Sequence, residues 1–288
     1  MRVAWCAAVF VFAASLGCGK KPSAPAGPGA AEEGAPEPTG PAYSLKLRDR
    51  KASGDKWSVV SLKESRINAK IGPDTIIKTS SDENRYTQSN VSADGSKLVR
   101  AYQVSRETQD GGKTVTRTYS GKTVTIEKKN DIWTFTVAGK PISDAKILED
   151  EFNSGGLSQH TAELLPKGPV KVNERWSVDR DFLRKLTRRS TVPIDSEKTT
   201  ITGRLVKTYA SEGTQWGVIE WDIELAMAGA KSGPQRVTGK MSYEGPIDGA
   251  KAESKIQQTV SGSWSETTPN GPANVELEES RTLTHSPQ

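Results

Sequence analysis

The sequence predicts a mainly β fold: an antiparallel sheet, or an open barrel or half-barrel, carrying one or two short helices. Three observations lead there. From Tyr43 onward apolar residues recur at every second position, turn-forming pairs separate these runs, and only two short segments have helical spacing.

The alternation begins with Tyr43, Leu45 and Leu47 set against Ser44, Lys46 and Arg48. Trp133, Phe135 and Val137 alternate with threonines, and Ile219, Trp221, Ile223, Leu225 and Met227 share one face against Glu220, Asp222 and Glu224. Val237, Gly239, Met241 and Tyr243 repeat the pattern, and Ile256, Val260 and Trp264 follow it more weakly. A period of two marks strands with one buried and one wet face. Hairpin signals fall between the runs at Asp94-Gly95, Asp110-Gly111-Gly112, Ser120-Gly121, Asn130-Asp131, Glu212-Gly213 and Asn270-Gly271. Such short spacing predicts antiparallel pairing. Hydrophobic residues at 34% and aromatics at 6% fit sheets wet on one face better than sheets buried on both.

Two segments depart from the period. Ser143 to Phe152 opens on a capping residue and spaces Ile147, Leu148 and Phe152 as a helix does. Asp179 to Arg189 puts Phe182, Leu183 and Leu186 on one face and basic residues elsewhere. Both are predicted as short helices between two runs of strands, about 43–140 and 165–286. The two runs echo each other: Gly54-Asp55-Lys56-Trp57-Ser58-Val59 resembles Asn173-Glu174-Arg175-Trp176-Ser177-Val178. A duplicated half-sheet and a coincidence between amphipathic strands both explain it.

The N-terminus is organised differently. Arg2 precedes an apolar stretch from Val3 to Ala14, too short for a bilayer span of roughly 20 residues. Ala14-Ser15-Leu16-Gly17-Cys18-Gly19 follows and resembles a bacterial lipoprotein export signal, with Ser15 where that family usually has leucine. The resemblance implies a signal peptide over 1–17 and acylation of Cys18. Ordinary secretion, with cleavage after Ala13-Ala14-Ser15 and a free Cys18 thiol, is the alternative. Residues 19–42 hold six prolines and no aromatic residue, a composition that cannot bury enough surface to order itself, so residues 18–42 are expected to act as an acylated, disordered tether. Lys20 and Lys21 would then lie near the headgroups.

Residues 43–288 form the expected extracytoplasmic β domain. Its layout resembles uncharacterised bacterial lipoproteins in which a Gly-Asp-x-aromatic strand opening is followed by Leu-Pro-x-x-x-Val-x-Val-x-x-x-Trp. Here that later segment runs from Leu165-Pro166 through Val170 and Val172 to Trp176, with Asn173-Glu174 at the turn. This resemblance implies no activity. Cys6 leaves with the signal and Cys18 is modified or alone, so no intrachain disulfide is expected. A formal charge of +5 over 288 residues is too dilute for a nucleic-acid footprint.

Motifs for chemistry are sparse. His160 and His285 are the two histidines, neither has a partner at metal-ligand spacing, and both are expected at the surface. Ser53-x-x-Lys56 and Ser143-x-x-Lys146 match an acyl-enzyme outline without its companion motifs. Gly121-Lys122-Thr123 reads as a hairpin turn, with Thr116 where a phosphate loop needs glycine. The carboxylates of Glu149, Asp150 and Glu151, and of Glu220, Asp222 and Glu224, read as solvated faces without a calcium-loop spacing. No cofactor, metal or nucleic-acid partner is expected.

The resulting expectation is a non-catalytic structural or interaction module, held to a membrane through Cys18 in the periplasm or at the cell surface, meeting an envelope protein or lipid. The alternative is a carrier of a lipid or other hydrophobic ligand on a concave face built from Trp133, Phe135, Trp221, Ile223, Met241 and Trp264. A hydrolase is a third reading, weakened by the lack of a nucleophile–base pair. Arg180, Arg184, Lys185, Arg188 and Arg189 are the candidate contacts to a membrane surface or acidic partner.

Overall fold

The structure, a computed structural model, describes residues 36–48, 54–130, 132–154, 157, 160–189, 194–227, 236–268 and 271–288. Cys18, the signal and most of the tether lie outside the described residues.

The first run of strands is β1 (Thr39–Tyr43), β2 (Lys56–Ile71), β3 (Asp74–Asn90), β4 (Lys97–Gln109), β5 (Lys113–Thr116), β6 (Thr123–Lys129), β7 (Ile132–Val137) and β8 (Lys140–Pro141). Helix α1 (Lys146–Ser154) follows, then β9 (Val170–Val172), β10 (Arg175–Ser177) and α2 (Arg180–Arg189). The second run is β11 (Thr200–Ser211), β12 (Thr214–Ala226), β13 (Arg236–Pro246), β14 (Ser254–Thr268) and β15 (Gly271–Pro287).

Among the described residues, thirteen strands form one antiparallel sheet in the order β10-β11-β12-β13-β14-β15-β2-β3-β4-β6-β7-β8, with β5 paired to β4. The sheet is open and does not close into a barrel. Each half is a meander that opens on the echoed motif, and Trp57 and Trp176 from that motif both pack into the core. The halves meet where β15 pairs with β2, in a register running from Ala273↔Ile71 to Pro287↔Trp57.

The period of two decides which face is buried. Ile219, Trp221, Ile223 and Leu225 enter the core, while Glu220 and Glu224 on the outer face pair with Arg204 at 2.8 Å and Arg236 at 3.2 Å. Each large aliphatic side chain removed from water contributes about 1.5–3 kcal/mol. The segment between the meanders covers this inner face. Leu148 of α1, Leu164 and Leu183 of α2 are fully buried against it. Leu164 also supplies a carbonyl that accepts from two indoles, Trp176 Nε1 at 2.9 Å and Trp221 Nε1 at 3.2 Å.

Four details differ from expectation. Thr39–Tyr43, which begins inside the predicted tether, forms a strand paired with β9, because Val170 and Val172 offer it a ladder at an edge where Pro41 is tolerated. Ser143 does not cap α1, which begins three residues later, and Asp144 instead accepts the Thr118 backbone N–H at 2.9 Å. A turn at Gly72-Pro73 joins β2 to β3, and Gly72 there takes a positive φ of 58°. His285 is buried on the inner face, 3.3 Å from the Ser254 hydroxyl, because the period of β15 turns it inward.

Candidate functional site

The six residues expected to line a hydrophobic site separate into two environments. Trp221 is 0% exposed, Met241 faces it on the next strand, and Ile223 and Phe135 are buried as well, Phe135 against Phe152 of α1. The crevice next to Ile223 measures about 10 Å³, at the threshold for one water. These four residues therefore serve the core. Trp133 is half-buried and packs on Phe152 of α1, with ring centroids 4.8 Å apart. Trp264, also half-buried, lies farther along the sheet and outside the main core cluster.

The basic helix is likewise committed to the fold. Leu183 is buried, and Phe182 and Leu186 pack against the core, so the apolar half of the expected membrane contact is turned inward. Arg180 Nη1 donates to the carbonyls of Ser196 at 3.0 Å, Glu197 at 3.2 Å and Thr199 at 2.8 Å. Arg184 pairs with Glu197 and Asp181, each at 3.1 Å. Lys185 is exposed, and the side chains of Arg188 and Arg189 lie outside the described residues.

What sequence reasoning missed is a set of polar side chains on the inner face. Arg100 of β4 is 6% exposed and grips Glu151 of α1 with both terminal guanidinium nitrogens, at 3.1 and 3.0 Å. It also donates to Gln88 at 2.8 Å and Tyr102 at 3.2 Å, and stacks over Tyr86 and Phe152 at 4.4 and 4.9 Å. Burial pushes the Glu151 carboxyl up, but the Arg100 guanidinium outweighs it, helped by Arg281 and Arg117, and holds Glu151 below the usual carboxylate range. Burial pushes the Tyr102 phenol well above its ordinary value. Arg117 reaches Asp82 and lies 3.4 Å from Ser105.

The register orders the inner face into rows. Gln258, Arg281, Lys63, Asp82 and Glu107 stand side by side across β14, β15, β2, β3 and β4. One step on come Val260, Glu279, Ser65, Ser80 and Gln109. Lys63 and Glu279 pair at 2.8 Å, and the Ser65 and Ser80 hydroxyls at 2.8 Å. Beyond this polar belt the rows become more apolar: Gly262, Leu277 and Ile67 beside Lys78, then Trp264, Val275, Ala69 and Ile76. Strands of 15 to 17 residues carry these rows past the helix-covered core.

At the level of the Val260–Gln109 row a cleft of about 660 Å³ crosses the five strands. Two buried guanidinium nitrogens, Arg117 Nε and Arg281 Nε, have no acceptor among the described residues, and neither has Trp264 Nε1. Arg117, Arg281, Trp264, Ser254 and His285 do not border the cleft. Among the described residues no group of three or more His, Cys, Asp or Glu is placed to hold a metal ion. No helix among them is long and apolar enough to cross a membrane, which says nothing of strands.

No protein-family model matches the chain, and no curated protein matches it. Among solved structures it is similar to one titled "Lipid-protein interactions in lipovitellin", at 10% identity over 81% of this chain and a TM-score of 0.42. This chain spans 25% of that one. It is also similar to a DUF1329 family protein from Desulfovibrio piger, at 6% identity over 80% of this chain and 85% of that one, with a TM-score of 0.16. At these scores neither likeness carries an argument about function.

Proposed function

We propose that this protein is a membrane-tethered, non-catalytic binding module of the bacterial envelope that takes an amphiphilic, lipid-type ligand on the uncovered end of its sheet. The observation that carries this reading is the succession of rows on one face: Arg281, Lys63, Asp82 and Glu107, then Glu279, Ser65 and Ser80, then Leu277 and Ile67 beside Lys78, then Trp264 and Ile76. A ligand with a polar head and an apolar tail meets polar and then apolar groups in that order, and binding sites pair apolar walls with a few placed polar groups in this way. The buried Arg281 Nε, one row from the cleft, has no acceptor among the described residues, and an unmatched buried donor costs about 1–3 kcal/mol. The tether and Cys18 support location at a membrane on sequence grounds, with two acyl chains giving the firm anchoring that one does not.

The test is lipid extraction and native mass spectrometry on the full chain purified from its own envelope, beside Ile67→Glu and Leu277→Glu variants. The expected result is a co-purifying lipid that both substitutions deplete without lowering Tm. A ligand-free protein, or a lipid load indifferent to both substitutions, overturns the reading.

A further inference from the structure

We infer that the cleft crossing β14, β15, β2, β3 and β4 opens on the outer face of the sheet and is a site for an uncharged glycan. The inference does not depend on the ligand reading above, which concerns the inner face.

The residues that border the cleft give its side. One wall is the row Thr259, Ser280, Glu64, Ser81 and Thr108. The other is the row Ser261, Glu278, Arg66 and Thr79. Strand alternation turns both rows outward, and the Val260–Gln109 row between them points to the opposite face and supplies the floor through its backbone. A cleft opening inward would be walled by the next inner rows, yet Arg281, Lys63, Leu277 and Ile67 do not border it. Five strands spaced about 4.8 Å apart make it about 19 Å long. Its volume of about 660 Å³ falls within the range of ligand sites, about 300–1,000 Å³. A long, open trough suits a chain better than a compact molecule.

The wall side chains give the class of ligand. They are serines and threonines apart from Glu64, Glu278 and Arg66, so they offer an apolar tail no surface. A hydroxyl donates and accepts at once, and its full complement is another group that does both. Phosphate oxygens only accept and an ammonium only donates, whereas every hydroxyl of a sugar does both. Two carboxylates against one guanidinium also disfavour an anionic chain.

The charges at the cleft are held open. Elsewhere on the outer face they close on each other: Arg204 on Glu220 at 2.8 Å, Arg236 on Glu224 at 3.2 Å and Arg85 on Glu83 at 2.7 Å. Arg66 and Glu278 stand opposite one another in the register, the spacing at which cross-strand ion pairs form. Yet among the described residues the side chains of Arg66, Glu278 and Glu64 make no hydrogen bond or ion pair. A carboxylate left open in this way accepts from two adjacent sugar hydroxyls with its two oxygens, and a guanidinium donates to sugar oxygens.

The experiment applies the full chain, in a detergent without a sugar head, to an array of neutral, sulfated and aminated glycans with unglycosylated peptide spots. The expected result is binding confined to neutral glycans. Glu64→Ala with Glu278→Ala, and separately Ser81→Ala with Ser280→Ala, lower it several-fold without lowering Tm. Glu220→Ala, on the same face but outside the cleft, binds like the parent. No binding to any glycan overturns the inference, as does binding led by sulfated or aminated glycans or by peptide, or a signal indifferent to both pairs of wall substitutions.

Discussion

The indole of Trp176 lies flat over Gly203 on the neighbouring strand: a Cβ added at Gly203 would stand 2.3 Å from Trp176 Cε2. The glycine is what lets the ring reach the Leu164 carbonyl that it shares with Trp221. Gly203→Ala must push the ring out of that position. A loss of about 1–3 kcal/mol is expected, the usual cost of overpacking, read as a lower denaturant midpoint at unchanged slope. Trp221→Ala should cost more, about 3–5 kcal/mol, because it empties a sealed site.

The Arg100–Glu151 pair makes α1 sensitive to charge. Glu151→Gln leaves a buried guanidinium without its counter-ion and should destabilise by about 3–5 kcal/mol, whereas Arg100→Met with Glu151→Leu should be close to neutral. Thermal melts of the three variants decide this.

The same pair sets an acid limit. The folded carboxyl of Glu151 is held below its unfolded value of about 4.3, so its contribution is complete above that pH and is lost as pH falls through the folded value. Stability should be flat near neutrality and should decline below about pH 4. Glu151→Gln should remove that part of the decline in a pH series of melts.

Asp94 reports on the β3–β4 turn. The Ser96 hydroxyl donates to it at 2.7 Å and the Ser96 backbone N–H at 2.9 Å, and together with Ser92 they hold its carboxyl at about 2. Ser96→Ala removes the largest of these and should move the Asp94 titration toward the ordinary value of about 3.9 in an NMR pH series.

Arg180 ties the loop at Ser196 to Thr199 to α2. Arg180→Lys replaces a planar fork by a single ammonium and should speed amide exchange in residues 195–199 while leaving the sheet amides protected.

The local parts of the fold were legible because each rests on neighbours in sequence. The alternation from Ile219 to Leu225 identified the buried face of β12, and Phe182, Leu183 and Leu186 identified that of α2. The pairing of Leu283 with Ser61 was not legible, since nothing near either residue encodes the other. The candidate site depends on that pairing. Lys63, Ser65, Glu279 and Arg281 look like lapses in the apolar alternation of two separate strands, and they become a belt only when β2 and β15 are set side by side. The residues expected to line a ligand surface in the alternative reading stood out for the opposite reason: strong alternation marks what a sheet buries, and Trp221 and Met241 are thoroughly sealed.

The junction of β15 and β2 also constrains the order of assembly. Gln288 donates to Ser58, 230 positions away, and the whole seam joins comparably distant segments. Chains emerge from the ribosome N-terminus first, so the β2–β8 meander exists before its seam partner has been made. Throughout that interval one edge of β2, sixteen residues long, lacks its partner strand. Such long-range closure is slow, and a bare strand is the site at which nascent chains stick to one another. The midline of the sheet forms last.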